Sequence, residues 1–150
     1  MSFFDGYNVA TSGMSAQRTR INMVSSNIAN AQTTHTTDGG PYKKQNVVFE
    51  EILLDSTKEQ AKKNMSENLD TLSLKGVGVK EIIDSKDEPI LKYEPEHPDA
   101  NKDGYVAYPN INPVIEMVDL IEAMRSYEAN VSAFKSQKDM DTKTLDIIRM

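Results

Sequence analysis

The chain of 150 residues contains no cysteine and no tryptophan, and only ten of its side chains are Phe or Tyr. Without cysteine there are no disulfides, and nothing can be inferred about the redox compartment. So few aromatics, in a chain only 38% hydrophobic, fill a globular core of this length poorly. Part of the chain is therefore expected to be extended or to pack only against partners. No apolar run approaches the ~20 residues needed to span a bilayer, so no membrane insertion is expected. The N-terminus lacks the basic-then-apolar pattern of a secretory signal. Taken alone this favours the cytoplasm, unless the chain leaves the cell by a route that needs no cleaved signal. A basic cluster is also missing. With a net charge of −6, nucleic acid is not an expected partner, because a phosphate-binding footprint needs clustered Lys and Arg.

The usual signatures of chemistry are absent too. His35 and His97 have no second His at ligand spacing, which argues against zinc. Lys75-Gly76-Val77-Gly78 lacks the rest of any phosphate-binding fingerprint and reads as a bent strand or bulge. There is no nucleophile elbow. No catalytic residue, cofactor or small-molecule substrate is expected, and an enzyme is the weaker hypothesis.

What is present lies at the two ends. Apolar positions alternate in steps of four and three through Phe3, Tyr7, Ala10, Met14, Gln17, Ile21, Val24, Ile28 and Ala31. They do so again through Met117, Leu120, Met124, Tyr127, Val131, Phe134, Lys138, Asp141, Leu145 and Ile148. This spacing is that of a coiled-coil seam. The first stripe predicts a helix over 2–31, opened by Ser2 with Asp5 and stopped by Asn30 and the turn residues Asp38-Gly39-Gly40-Pro41. Its propensity is poor. Two Gly, four Asn, four Ser and two Thr lie between 3 and 31, and each Gly alone costs about 1 kcal/mol against Ala. Such a helix forms when its stripe is covered.

The second helix is stronger. Asn112 is a good N-cap, Pro113 suits the first helical position, and no breaker follows, so it can run about 55 Å. Val114, Ile115, Met117, Val118, Leu120, Ile121 and Met124 spread over roughly 220° of its circumference, more than one partner helix can bury. Packing between subunits is the expected outcome.

Residues 36–108 hold ten Lys/Arg against fifteen Asp/Glu, so the solvated charge is concentrated in the middle. Short strands are expected at Tyr42–Phe49, Leu74–Ile83, Ile90–Tyr93 and Tyr105–Tyr108, with a flexible segment near 50–75. Asp99-x-Asn101-x-Asp103-Gly104 matches the first six positions of a calcium loop, making Asp99, Asn101 and Asp103 candidate metal ligands. Position 12 is Asn110 rather than a bidentate Glu, and an Asx-rich surface turn accounts for the same letters.

Residues 12–30 resemble the N-terminal signature of the bacterial flagellar rod and hook proteins, with Ala16-Gln17, Arg20 and Asn27-Ile28-Ala29-Asn30 as landmarks. Three stretches are similar to the proximal-rod branch of that family: Tyr93 to Ala100, Gly104 to Asn110, and Glu116 to Leu120 continuing into Arg125-Ser126-Tyr127-Glu128-Ala129-Asn130. Lys138 and Met140 continue the pattern. The resemblance implies a structural subunit of the basal-body rod, exported unfolded by the flagellar type III system and assembled helically into the shaft that carries torque through the periplasm. Implied partners are copies of the chain, other rod proteins, and ring and export-gate components. A different axial position in the same family is the alternative. From another class, the alternative is a calcium-binding module on residues 99–110.

The expected fold is therefore mainly α with a small β insert. Two long terminal helices, 1–32 and 113–150, pair as a coiled-coil-like layer around a hairpin-rich, irregular middle, 33–112. The expected assembly interface comprises Met14, Gln17, Ile21, Val24, Asn27, Ile28 and Asn30 from the first helix. The second contributes Met117, Leu120, Ile121, Met124, Tyr127, Val131 and Phe134.

Overall fold

A computed structural model describes residues 5–37, 39–54 and 75–148. The element order is α1 (Asp5–Ala29), β1 (Gln45–Leu53), β2 (Lys75–Asp84), β3 (Ile90–Tyr93), β4 (Tyr105–Tyr108) and α2 (Pro113–Ile148). The Ser2 cap, the Phe3 end of the first stripe and most of the expected flexible connection lie outside the described residues.

Helix α2 starts where its cap chemistry places it. Asn112 Oδ1 accepts from the Val114 N–H at 3.0 Å, and the Asn112 carbonyl accepts from the Glu116 N–H at 3.1 Å. Pro113, which has no N–H to satisfy, occupies the first helical position. Helix α1 ends at Ala29, where Asn30 Nδ2 donates back to the Ser26 carbonyl and Asn30 Oδ1 accepts from Thr33.

The two helices lie antiparallel and pack against each other along their length. Tyr7 stacks edge-on against Phe134 with centroids 4.9 Å apart. Farther along the pair, Arg20 faces Asp119 at 3.7 Å, and Asn27 reaches Glu116 at 3.1 Å. The two glycines of α1 lie at the contact. A Cβ on Gly13 would sit 2.9 Å from the Asn130 amide, and one on Gly6 would sit 3.3 Å from Gln137 Oε1. Poor helix formers thus serve as the surface that lets the second backbone approach.

The middle forms two separate antiparallel two-stranded sheets, β1–β2 and β3–β4. In the first, Gln45 pairs with Asp84 and Leu53 with Lys75, with a shift in register between Val48 and Phe49. The length of this ladder corrects the sequence expectation. Residues 50–53, expected to belong to the flexible segment near 50–75, continue β1, and Lys75 opens β2. The extra residue at the register shift is Lys80 on β2, opposite Val48–Phe49, and beyond it Glu50 and Glu51 pair with Gly78 and Val77 so that the ladder continues.

The β1–β2 hairpin packs on α1. Ser12 Oγ donates to the Val9 carbonyl and accepts from the Val77 N–H at 3.2 Å. Gly76 makes this docking possible, since a Cβ there would lie 2.7 Å from Ser12 Oγ and 2.6 Å from Leu54 Cδ1. The α2 backbone, by contrast, comes close to α1 and to no strand among the described residues.

In the second hairpin Val106 is fully buried, and Tyr93 and Tyr105 stack edge-on at 5.3 Å. The buried apolar side chains among the described residues are Ala10, Ala16, Val24, Val106, Ile111 and Ala123. Half of them are alanines on the two helices, with Val24 on α1, while Val106 and Ile111 belong to the β4–α2 return. Gly76→Ala is expected to destabilise the chain by about 1–3 kcal/mol, because the added methyl overpacks the α1–hairpin contact. Urea denaturation of the two proteins checks it.

Candidate assembly interface

The helix pair is built around a polar junction. Asn27 and Glu116 are each only 1% exposed, and a buried amide and carboxylate need partners for every polar atom. Asn27 Nδ2 donates to the Gln45 carbonyl at 2.9 Å and to Glu116 Oε2 at 3.1 Å. Its Oδ1 accepts from the Gln45 N–H at 2.9 Å and from the Tyr42 hydroxyl at 3.1 Å. Both donors and both acceptor sites of the amide are used. Lys44 Nζ closes the junction on Glu116 Oε1 at 2.6 Å. Asn27 therefore pairs with the backbone of Gln45 as a neighbouring strand would, and joins α1, α2 and the start of β1.

This junction sets the rotation of α2. The enclosed or half-buried positions on its inner side are Glu116, Leu120, Ala123, Tyr127, Asn130, Phe134, Gln137 and Asp141, again in steps of four and three. The expected stripe shares Leu120, Tyr127, Phe134 and Asp141 with this set. Met117, Met124, Val131 and Lys138 are each one residue too far along, and Leu145 and Ile148 at its end are exposed. Met117 is 50% exposed, Ile121 46% and Met124 41%, while Val131 is half-buried. On α1, Val24 is buried, whereas Met14, Ile21 and Ile28 are half-buried. Gly13, Arg20 and Asn27, one residue before those three, meet α2 directly. Gln17 is half-buried, with its Oε1 enclosed and unpartnered among the described residues. Asn30 ends the helix as described above.

The periodicity could not separate these phases, because residues 116 and 117 both stand at helical spacing from 120. Size and polarity of the partner surface decide it. The signal that was available is the pairing of two glycines with amides at seven-residue intervals, Gly6 with Gln137 and Gly13 with Asn130.

Turning Glu116 inward leaves the opposite side of α2 apolar and open. Val114, Ile115, Met117, Val118, Ile121 and Met124 are all exposed. At 100° per residue they form one face away from α1, confined to the first three turns.

The calcium-like segment forms a closed turn. Asn101 Oδ1 accepts from the N–H groups of Asp103 and Tyr105, both at 2.9 Å, and Gly104 has φ +80°. Asp99 Oδ2 accepts from Thr34 Oγ1 at 2.7 Å, tying the turn to the segment after α1. Two of the three expected ligand side chains, Asp99 and Asn101, are thus used in holding the chain together. No group of three or more His, Asp or Glu able to share a metal occurs among the described residues.

Two tyrosines titrate high. Tyr7 donates to Asp141 Oδ2 at 2.6 Å, and loss of its proton beside that carboxylate is disfavoured, so its pKa is pushed up to about 12. Tyr108 donates to Glu94 Oε2 at 2.8 Å and is likewise raised.

A family described as Flagella basal body rod protein matches residues 8–34, and one described as Flagellar basal body rod FlgEFG protein C-terminal matches residues 102–147. These matches fall on α1 and on the β4–α2 return, the parts that form the helix pair, and they define a flagellar rod subunit. The similarity extends beyond them. The chain is 41% identical to flagellar basal-body rod protein FlgC of Borreliella burgdorferi, with 99% of each chain covered. It is 39% identical to FlgC of Bacillus subtilis, covering 98% of this chain and 99% of the relative. Identity to FlgC of Salmonella typhimurium is 36%, with 98% of each chain covered. The chain belongs to the FlgC family of flagellar basal-body rod proteins.

Asn27→Ala is expected to cost about 2–3 kcal/mol, because it strips partners from Gln45 and Glu116. Arg20→Ala, at a pair a third exposed, is expected to cost less than about 1 kcal/mol. Denaturant midpoints measured on both separate the buried junction from the surface pair. The raised Tyr7 pKa favours the protonated phenol in the folded state. Its contribution to stability is therefore present below the ordinary tyrosine value of 10.0 and is lost as pH rises through about 12. Melting temperatures between pH 9 and 12 are expected to fall less in Tyr7→Phe than in the parent chain.

Proposed function

We propose that this chain, a structural subunit of the flagellar basal-body rod and not an enzyme, assembles through the open apolar face at the start of α2. The observation that supports this reading is the exposure of six apolar side chains from Val114 to Met124 on the side of α2 away from α1. A stretch this apolar is unfavourable in water, and covering each such side chain is worth about 1.5–3 kcal/mol. The inner side is already used by α1, so the outer side is available to a neighbouring subunit. Contacts of this head-to-tail kind that do not close into a ring extend as a helix.

In this reading residues 1–32 and 113–150 are assembly helices, paired along a coiled-coil-like seam, and 33–112 is an insert carried outside them. Copies of the chain and other rod proteins cover the α2 face, and the resulting shaft transmits torque across the periplasm. Ring and export-gate components meet the rod at its ends. Type III export without a cleaved signal suits a first helix rich in Gly, Asn and Ser, because such a helix gains its stability from contacts made after passage. Met117, Ile121 and Met124 carry the contact between subunits. Val24, Asn27, Leu120, Tyr127 and Phe134 hold the subunit itself together, and Met14, Gln17, Ile21, Ile28, Asn30 and Val131 flank that seam.

Ile121→Asp is expected to leave the circular dichroism and melting of the purified chain unchanged while abolishing rod assembly and motility in a complemented strain. A charge brought into an apolar contact without a partner is strongly disfavoured. Normal motility with Ile121→Asp would remove the α2 face from the interface. Val24→Asp is expected to lower the stability of the chain itself, because Val24 is buried within it.

A further inference from the structure

The α1–α2 seam is nearly self-similar when one helix is moved along the other by seven residues. On α2 one set of inward positions is Leu120, Tyr127 and Phe134, all large. The alternate set is Glu116, Ala123, Asn130 and Gln137. On α1 the facing residues include Gly6 against Gln137, Gly13 against Asn130 and Asn27 against Glu116, spaced by seven and then fourteen residues on both helices. A seven-residue slide would put Phe134 where Tyr127 sits, or the reverse, and an amide again opposite a glycine. Apart from two contacts partly open to water, Tyr7 to Asp141 at 2.6 Å and Arg20 to Asp119 at 3.7 Å, this stretch of the seam does not distinguish the registers, and such exposed pairs are worth little.

Nor do the hairpins hold α2 in place, since its backbone approaches no strand among the described residues. The link between α2 and the β1 side is Glu116, which meets Lys44 Nζ at 2.6 Å and Asn27 Nδ2 at 3.1 Å. Asn27 is in turn held by both the N–H and the carbonyl of Gln45. Moving α2 by seven residues brings either Ala123 or a residue preceding the helix to this place. Glu116 is then carried away from both partners, and Lys44 loses its acceptor.

We infer that Glu116 is the register-determining residue of the helix pair, selecting one of several near-equivalent helix alignments by fitting the Asn27–Lys44 junction. A buried polar residue on an otherwise permissive seam fixes alignment in this way, because every other alignment leaves polar groups enclosed and unpaired. The alignment matters for assembly. A slide of seven residues displaces the α2 outer face by about 10 Å along the helix relative to α1 and its hairpin, so a slipped subunit would not match its neighbours. The inference concerns contacts within one chain and is independent of which residues meet a neighbour.

The natural absence of cysteine permits a direct test by disulfide trapping in the full chain. Gly6→Cys is combined with Gln137→Cys for the observed register, and with Asn130→Cys or Thr144→Cys for slides of seven residues in either direction. In the parent background the first pair is expected to close at least tenfold faster than the other two. Glu116→Leu is expected to raise closure of a slipped pair at least tenfold with helical circular dichroism retained. Glu116→Gln, which keeps one of the two acceptor oxygens and can still receive either Asn27 Nδ2 or Lys44 Nζ, is expected to slip less than Glu116→Leu. Three results would overturn the inference: no preference among pairs in the parent, native closure alone in Glu116→Leu, or slippage in Glu116→Gln equal to that in Glu116→Leu. Loss of helicity in Glu116→Leu without slipped closure would overturn it as well, because Glu116 would then supply stability rather than alignment.

Discussion

The buried contact between Asn27 and Glu116 constrains the rest of the molecule. A carboxylate removed from water must be met by donors, and here they come from α1 through Asn27 and from the segment entering β1 through Lys44. Seating Glu116 inward fixes the rotation of α2. That rotation decides which side chains meet α1 and which are left facing outward. The apolar face from Val114 to Met124 is thus a geometric consequence of satisfying one acid, since residues a quarter-turn or more away from it must point elsewhere.

Around this junction, α1 is a central spacer rather than one half of a simple hairpin. One side meets α2 and another receives β1 and β2. Both contacts need close approach, and small side chains supply it: Gly13 beneath Asn130, Ser12 beneath Gly76, and Ala10 and Ala16 buried in the same helix. The composition that makes α1 a weak helix alone makes it suitable for being covered on two sides. Stability therefore rests on tertiary contacts, consistent with a chain whose described residues bury few large apolar groups. Membership of the FlgC family gives this economy a context, because rod subunits have further surface to bury once assembled.

Much of the fold was legible. Strands β3 and β4 fall where alternation bounded by Gly and Pro places them, and the Asn112–Pro113 cap starts α2 as its chemistry requires. The calcium-like letters resolve into an Asx turn, the reading that their side-chain chemistry also allowed. Two features were not legible. Glu50–Leu53 read as irregular because two adjacent carboxylates follow Phe49, and their place in β1 depends on pairing with Lys75–Gly78, more than twenty residues away. The helix seam was placed one residue off, on Met117 and Met124 rather than Glu116 and Ala123, because a hydrophobicity pattern counts apolar residues and cannot foresee a buried acid with partners distant in sequence.

The family was carried by resemblance, and the sequence by itself determined the presence of the two helices, strands β3 and β4, the cap and an apolar surplus at the start of α2. These follow from local propensity, spacing and composition, which act within a few turns of chain. Only the tertiary structure decided which side of α2 faces inward and which side is left open. That choice depends on Asn27, Lys44 and Glu116 meeting across 89 residues of chain, and polar satisfaction at such a distance leaves no periodic trace.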